Sequence, residues 1–232
     1  MCAGPTDEYE RVAGPGIETV READSPVFVE REHQSIASAY NSILDRAHDC
    51  EALLLIHDDV RFFDPDTCAK VLAAMSDVVA IVGVVGGVGS CSLGWWNGVI
   101  YGSAHDGDGL IGGTDGPGTY EVDSVDGLFL ALSRWAIDNL RFDCRYRGFD
   151  GYDGDICAQA RSAGKRVVVT QIHLHHDTPR GFRDGGTSFQ RADWRWRAKW
   201  LPIGPIRKVL YRLRSYRPPS HQTWEPVAKR PR

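Results

Sequence analysis

Several familiar signatures are missing from this sequence. Its six cysteines, at positions 2, 50, 68, 91, 144 and 157, include no pair in C-x-x-C spacing, and none accompanies a histidine pair, which excludes the common zinc frameworks. The first residues are acidic and lack an apolar core, so a secretory leader is not expected. Reduced thiols in a cytoplasmic protein are then the simplest reading. The longest apolar run, 78–88, is too short and too rich in glycine to span a bilayer. No internal repeat is found. A strong charge of one sign is absent too: the net charge of -4 argues neither for nor against nucleic acid, and no nucleic-acid partner is expected. That mean hides an asymmetry, because from Arg191 onward nine Arg and three Lys face only Asp193 and Glu225. Trp194, Trp196 and Trp200 interleave with these cations, a mixture suited to peripheral contact with an anionic membrane surface.

What is present is a rhythm of buried strands and amphipathic helices. The 232 residues are 42% hydrophobic and 25% charged, enough for one large α/β domain with a tail. Residues 1–4 and 26–29 read as short strands, with a short helix over 17–23 between them. Ile36, Tyr40, Ile43, Leu44 and Ala47 form one stripe of a helix over 35–49. Leu53-Leu54-Leu55-Ile56 is a strand buried on both faces, and it runs straight into His57-Asp58-Asp59. Asp64-Pro65 starts a helix that runs to about residue 76, and 78–85 is a further buried strand. This alternation predicts a mostly parallel central sheet flanked by helices. The glycine-crowded stretch 83–118, which holds Trp95-Trp96, is expected to be irregular and functional. Strand character returns over 122–134, interrupted by Asp126-Gly127, and a short helix over 135–139 follows. Asp153-Gly154-Asp155 opens a helix over 153–163, and a strand over 166–172 ends in His173-Leu174-His175-His176-Asp177. The domain is expected to span 1–200, with a first strand that is either short or begins upstream. Residues 201–232 are expected to form a basic tail, helical over 206–216 and disordered from 218.

Three polar clusters thus close buried elements: His57-Asp58-Asp59, Asp153-x-Asp155, and His173 to Asp177. Carboxylates at the carboxyl end of a strand lie where open α/β sheets bind ligands, and adjacent carboxylates are relieved by a cation or a proton. Taken with Tyr40-Asn41, Ile56 to Val60, Val125-Asp126-Gly127, Tyr152-Asp153-x-Asp155, His175-His176-Asp177 and Lys199-Trp200, the ordered set resembles the family-2-type inverting glycosyltransferases of the GT-A fold. The closest likeness is to the bacterial branch with His-Asp-Asp-Val and Tyr-Asp-x-Asp motifs.

That resemblance implies a nucleotide-sugar donor, a Mn2+ or Mg2+ ion and a glycan, lipid-linked or small-molecule acceptor. It also implies a cytoplasmic site of action, with the inner membrane face reached through the basic tail. By the same likeness Asp59 is the leading metal ligand, with His57 where the family's first acid usually lies. His175 or His176 is the late ligand; neighbours on a strand point to opposite faces, so one of them is expected to serve. Asp153 maps to the general base, with Tyr152 where a glutamate is commoner. Asp58 is assigned to the ribose or the metal, and Asp126 with Gly127 to the donor sugar. Asp155 is assigned to the helix start or the acceptor. Two other readings of the residues stay open: a non-catalytic nucleotide-sugar or glycan-binding protein on the same fold, and a metal-dependent phosphohydrolase.

Overall fold

The computed structural model describes residues 7–106, 109–112, 118–177 and 186–201. In chain order, a π-helical turn (Tyr9–Ala13) leads into α1 (Gly14–Val20), α2 (Ile36–Leu44), β1 (Ala52–Ile56), β2 (Val60–Phe62), α3 (Thr67–Ala74), β3 (Val79–Gly83) and β4 (Val85–Val88). A 3-10 turn (Trp95–Asn97) precedes β5 (Val99–Asp106), β6 (Gly109–Gly112), β7 (Thr119–Val122), β8 (Ser124–Val125) and β9 (Phe129–Ser133). Next come α4 (Arg134–Asn139), α5 (Tyr152–Ser162), β10 (Arg166–Thr170), β11 (Leu174–His176) and α6 (Thr187–Trp200).

The main sheet has the order β1-β9-β3-β10-β7. Period-two alternation splits its side chains between two cores. Leu53, Leu55, Leu130, Leu132, Val167 and Val169 meet α2, α4 and α5 on one face. Ile56, Phe129, Ala131 and Val168 meet α1, β2 and Val71 of α3 on the other. The α/β class holds, but the expected mostly parallel sheet does not. Among its four pairings only β10 with β3 is parallel; β9 runs antiparallel to both β1 and β3, and β7 antiparallel to β10. The cause is a detour. After β3 the chain leaves for a second sheet, β2-β11-β5-β4-β8 with β6 on β5, touches the edge of the main sheet as β7, and re-enters it as β9 beside the carboxyl end of β1, where Ile56 pairs with Phe129.

Local signals explain the better-formed helices. Ser35 caps α2 through a reciprocal capping box with Ser38. Asn41 then clamps residue 142 in both directions, its Nδ2 donating to Phe142 O and its Oδ1 accepting from Phe142 N, each at 2.9 Å. The predicted strand at 26–29 is not formed; only Glu30 makes a bridge. The stretch expected to be irregular contains β4, β5 and β6, because Val99-Ile100-Tyr101 has the β-branched and aromatic content of a strand. The predicted strand at 1–4 and the tail from 202 onward lie outside the described residues. Among the described residues no helix is long and apolar enough to cross a membrane, and the five described cysteines are free thiols.

Helix α6 is docked onto α5 by a buried polar clasp. Asp155, fully buried, accepts from Lys199 Nζ at 2.8 Å, Trp200 Nε1 at 2.7 Å and Gln159 Nε2 at 2.8 Å. Trp196 Nε1 donates to Gly154 O at 3.0 Å. Asp155 therefore holds the closing helix, beyond the helix-start or acceptor role expected of it. Asp155→Ala is expected to destabilise the fold by about 3 kcal/mol by stranding these donors. Denaturant unfolding checks this, and an unchanged midpoint would show that the clasp contributes nothing.

Candidate active site

Backbone hydrogen bonds lace three distant segments together. The turn after β1 donates from His57 N to Leu128 O at 3.2 Å, and Asp59 O accepts from Asp177 N at 2.8 Å. Asp126 N donates to Val85 O at 2.9 Å. These bonds draw the end of β1, the 126–128 turn and the end of β11 to one rim. There His57, Asp59 and His176 each offer one ligand atom, all within 4.8 Å of one another. His57 Nδ1 faces His176 Nε2 at 3.4 Å, and His176 Nε2 lies 3.1 Å from Asp59 Oδ1. The far nitrogens are engaged elsewhere, His57 Nε2 with Tyr152 OH at 2.7 Å and His176 Nδ1 with Asp106 Oδ1 at 3.1 Å. Two imidazoles and a carboxylate with their near atoms converging make a donor set that a divalent transition ion accepts. Mg2+, which prefers oxygen, is less well served.

A cavity of about 220 Å3 opens beside this cluster and is lined by His57, Asp106, Asp126, Asp153 and His176, with Trp95 and Trp96 in its wall. A larger cavity of about 490 Å3 lies along β1, the outer strand of its sheet, under α1 and the 21–28 segment. It is mostly apolar and contains none of the predicted site residues. Converging polar groups make the smaller cavity the candidate site, whatever its size.

The electrostatics separate the site groups. Asp153, the second residue of α5, accepts from Gly154 N at 2.7 Å and Gly127 N at 3.2 Å. Burial, followed by the negative Asp126 nearby, pushes its carboxyl up to about 7 despite those donors. Burial also raises Asp126, against the N–H of Leu128 and the side chain of Trp95. His57 is driven down to about 4, first by burial and then by His176. For His176 burial disfavours the imidazolium, yet the hydrogen bonds its ring donates to the Asp106 and Asp59 carboxylates outweigh it and raise the group to about 10 in the absence of an ion.

Of the predicted site residues, His57, Asp59, His176, Asp126 and Asp153 are brought together. His175 turns away, bonding Asp177 Oδ1 at 2.6 Å and stacking near His105. Asp58 is half-buried in the same turn and lies outside both the ligand cluster and the cavity lining. Gly127 has a packing reason as well. A Cβ there would lie 2.0 Å from Tyr152 OH, so the absent side chain makes room for the tyrosine. Trp95 is buried and packs edge-on against Trp96, which in turn faces Phe189 of α6 at 5.4 Å. Sequence reading missed Asp106 and the part played by Tyr152. The only available signal for Asp106 was its place at the end of a strand-like run inside the glycine-rich stretch.

A family model described as a glycosyltransferase-like family matches residues 16–179. The chain belongs to that family. It is a glycosyltransferase of the family-2 type with the GT-A fold, as the ordered motifs imply. The streptomycin biosynthesis protein StrF of Streptomyces griseus is 35% identical over 223 residues, covering 90% of this glycosyltransferase and 76% of StrF. The fold is shared with the mannosyltransferase PcManGT of Pyrobaculum calidifontis, solved with GDP-Man and Mn2+. That likeness has a TM-score of 0.50 at 14% identity, and covers 93% of this glycosyltransferase and 68% of PcManGT.

Proposed function

We propose that the protein is an inverting, metal-dependent glycosyltransferase that moves a sugar from a nucleotide-sugar donor to a hydroxyl of its acceptor. The observation that carries this reading is the presence of Asp153, His57 and His176 on the wall of one cavity. His57 Nδ1, His176 Nε2 and an Asp59 oxygen are the atoms that would hold the ion. When bound, a divalent cation neutralises charge developing on the departing diphosphate. Asp153 takes the proton of the acceptor hydroxyl as its oxygen bonds to the sugar carbon and the carbon–phosphate-oxygen bond breaks on the opposite face. A carboxyl raised to about 7 suits that task, because a base titrating near the working pH combines availability with proton affinity. The N–H groups of Gly127 and Gly154 fix its orientation. On this reading Asp126, in the cavity lining, meets the donor sugar's hydroxyls, and Asp58, outside that lining, is left to the ribose. Trp96, Phe149 and Phe189 give the cavity an apolar wall on which a sugar ring can stack.

Among acceptors, the 35% identity to a streptomycin biosynthesis protein favours a small molecule. Residues up to 200 form the catalytic unit on this reading. Free thiols and a nucleotide-sugar donor suit the cytoplasm, and the cations after residue 200 suit contact with an anionic membrane face.

Nucleotide release from a panel of sugar donors tests the proposal. Release is expected with Mn2+, less with Mg2+ because two of the three donors are imidazoles, and none in excess chelator. NMR of the product is expected to show an inverted anomeric centre. Full turnover in chelator would overturn the metal assignment, and a retained anomeric centre the role given to Asp153. Phosphate release from simple esters without sugar transfer would point to a phosphohydrolase.

A further inference from the structure

We infer that Asp106 and Tyr152 are paired positioning residues, each locking one histidine so that a chosen ring nitrogen faces the ion. The inference rests on the metal site proposed above and adds two residues that touch neither the ion nor the substrate's reacting atoms. An imidazole binds a metal through one nitrogen, and the hydrogen bond made by the other fixes both the tautomer and the ring plane. The two histidines here use different atoms, Nδ1 on His57 and Nε2 on His176, so each needs its own outer partner.

Asp106 is that partner for His176. Strands β5 and β11 run parallel, and their register sets His176 directly beside Asp106. The Asp106 side chain is only 7% exposed, and its Oδ1 lies 3.1 Å from His176 Nδ1, on the side of the ring away from Asp59 and His57. The ladder therefore fixes the aspartate before any side chain is placed. Tyr152 plays the same part for His57. Its buried ring packs edge-on against Tyr40 at 5.8 Å and tilts against Phe142 at 6.1 Å. Its hydroxyl then reaches His57 Nε2 at 2.7 Å over the space left by Gly127.

This links the two departures from the family's pattern noted in the sequence. A histidine stands where the first acid is usual, and a tyrosine where a glutamate is commoner. In the structure they are hydrogen-bonded to each other. The tyrosine hydroxyl supplies the acceptor that the far nitrogen of an imidazole ligand needs.

The test is Mn2+ affinity, read from the paramagnetic resonance of free Mn2+ with no substrate present, on the full chain and on Asp106→Asn, Asp106→Leu and Tyr152→Phe. Thermal melting of each metal-free protein accompanies it. Asp106→Leu and Tyr152→Phe are each expected to weaken Mn2+ binding about 10- to 100-fold. Asp106→Asn keeps an acceptor oxygen for Nδ1–H and is expected to retain most of the affinity. Should Asp106→Leu fail to fold, Tyr152→Phe, which keeps the buried ring, decides by the same measurement. Affinities within about twofold of the parent in both disruptive variants would overturn the inference, as would Asp106→Asn falling as far as Asp106→Leu. If the parent chain itself bound no Mn2+, the metal site would fall and this inference with it. Parent binding with unaffected variants removes the positioning role alone.

Discussion

Replacing Asp153 by asparagine is expected to lower kcat by about 10^2- to 10^4-fold, the range of a lost general base, while leaving Mn2+ binding intact. Asparagine keeps the size of the side chain, and its single amide oxygen can still accept from Gly154 N, although the bond from Gly127 N, made to the other carboxylate oxygen, is lost. The change removes the proton acceptor with little disturbance of α5. The pH profile carries the same claim. The base must be deprotonated to work, and burial with Asp126 raises its carboxyl to about 7. Below that pH the neutral acid predominates, so kcat/KM is expected to fall about tenfold per pH unit on the acidic side and to level off above about 8. Asp126→Asn removes the negative neighbour and should move that limb to lower pH. A flat profile from pH 5 to 8, or an Asp153→Asn enzyme with parental kcat, would remove Asp153 from the chemistry.

The second large effect is expected from Asp59→Ala. Asp59 is the only carboxylate among the three grouped ligand atoms. Without it, two imidazoles remain to hold the ion, with no negative charge from the set. Mn2+ affinity is expected to fall by more than the 10- to 100-fold typical of an outer partner, and donor turnover to reach background at micromolar Mn2+. Millimolar Mn2+ should restore part of the activity, because the base and the cavity wall are untouched. Parental turnover at low Mn2+ would contradict the assignment. The fold should survive, since Asp59 stands in the turn between β1 and β2 and outside both sheet cores.

The parts of the site carried by apolar pattern were legible in the sequence. Leu53 to Ile56 announced a buried strand, and the carboxylates after it announced a ligand edge; the structure places the strand at Ala52–Ile56. The stripe of the second helix was equally clear: Ile36, Tyr40, Ile43 and Leu44 are buried in α2, and Ala47 is buried just beyond its end. Charge alone could not divide the work between Asp153 and Asp155, since acids suit the start of any helix. Two residues apart on a helix they point about 200° from each other. Only the packing of α6 shows that Asp155 faces inward to Lys199 while Asp153 faces the cavity. Likewise, alternation allowed one of His175 and His176, and only the fold shows that the ring of His176 is the one facing His57 and Asp59. Asp106 was hidden because the glycines around it mask a strand. Strand direction was hidden because it depends on where the chain re-enters the sheet after β8, a long-range matter no local period records.

The convergence of residues 57, 59 and 176 on one ion is tested most directly by anomalous diffraction at the manganese edge from crystals of the protein soaked in Mn2+. The account predicts a single strong peak at bonding distance from His57 Nδ1, an Asp59 oxygen and His176 Nε2, with the Asp153 carboxylate across the cavity. A peak held by other residues, or no peak at that rim, would contradict it.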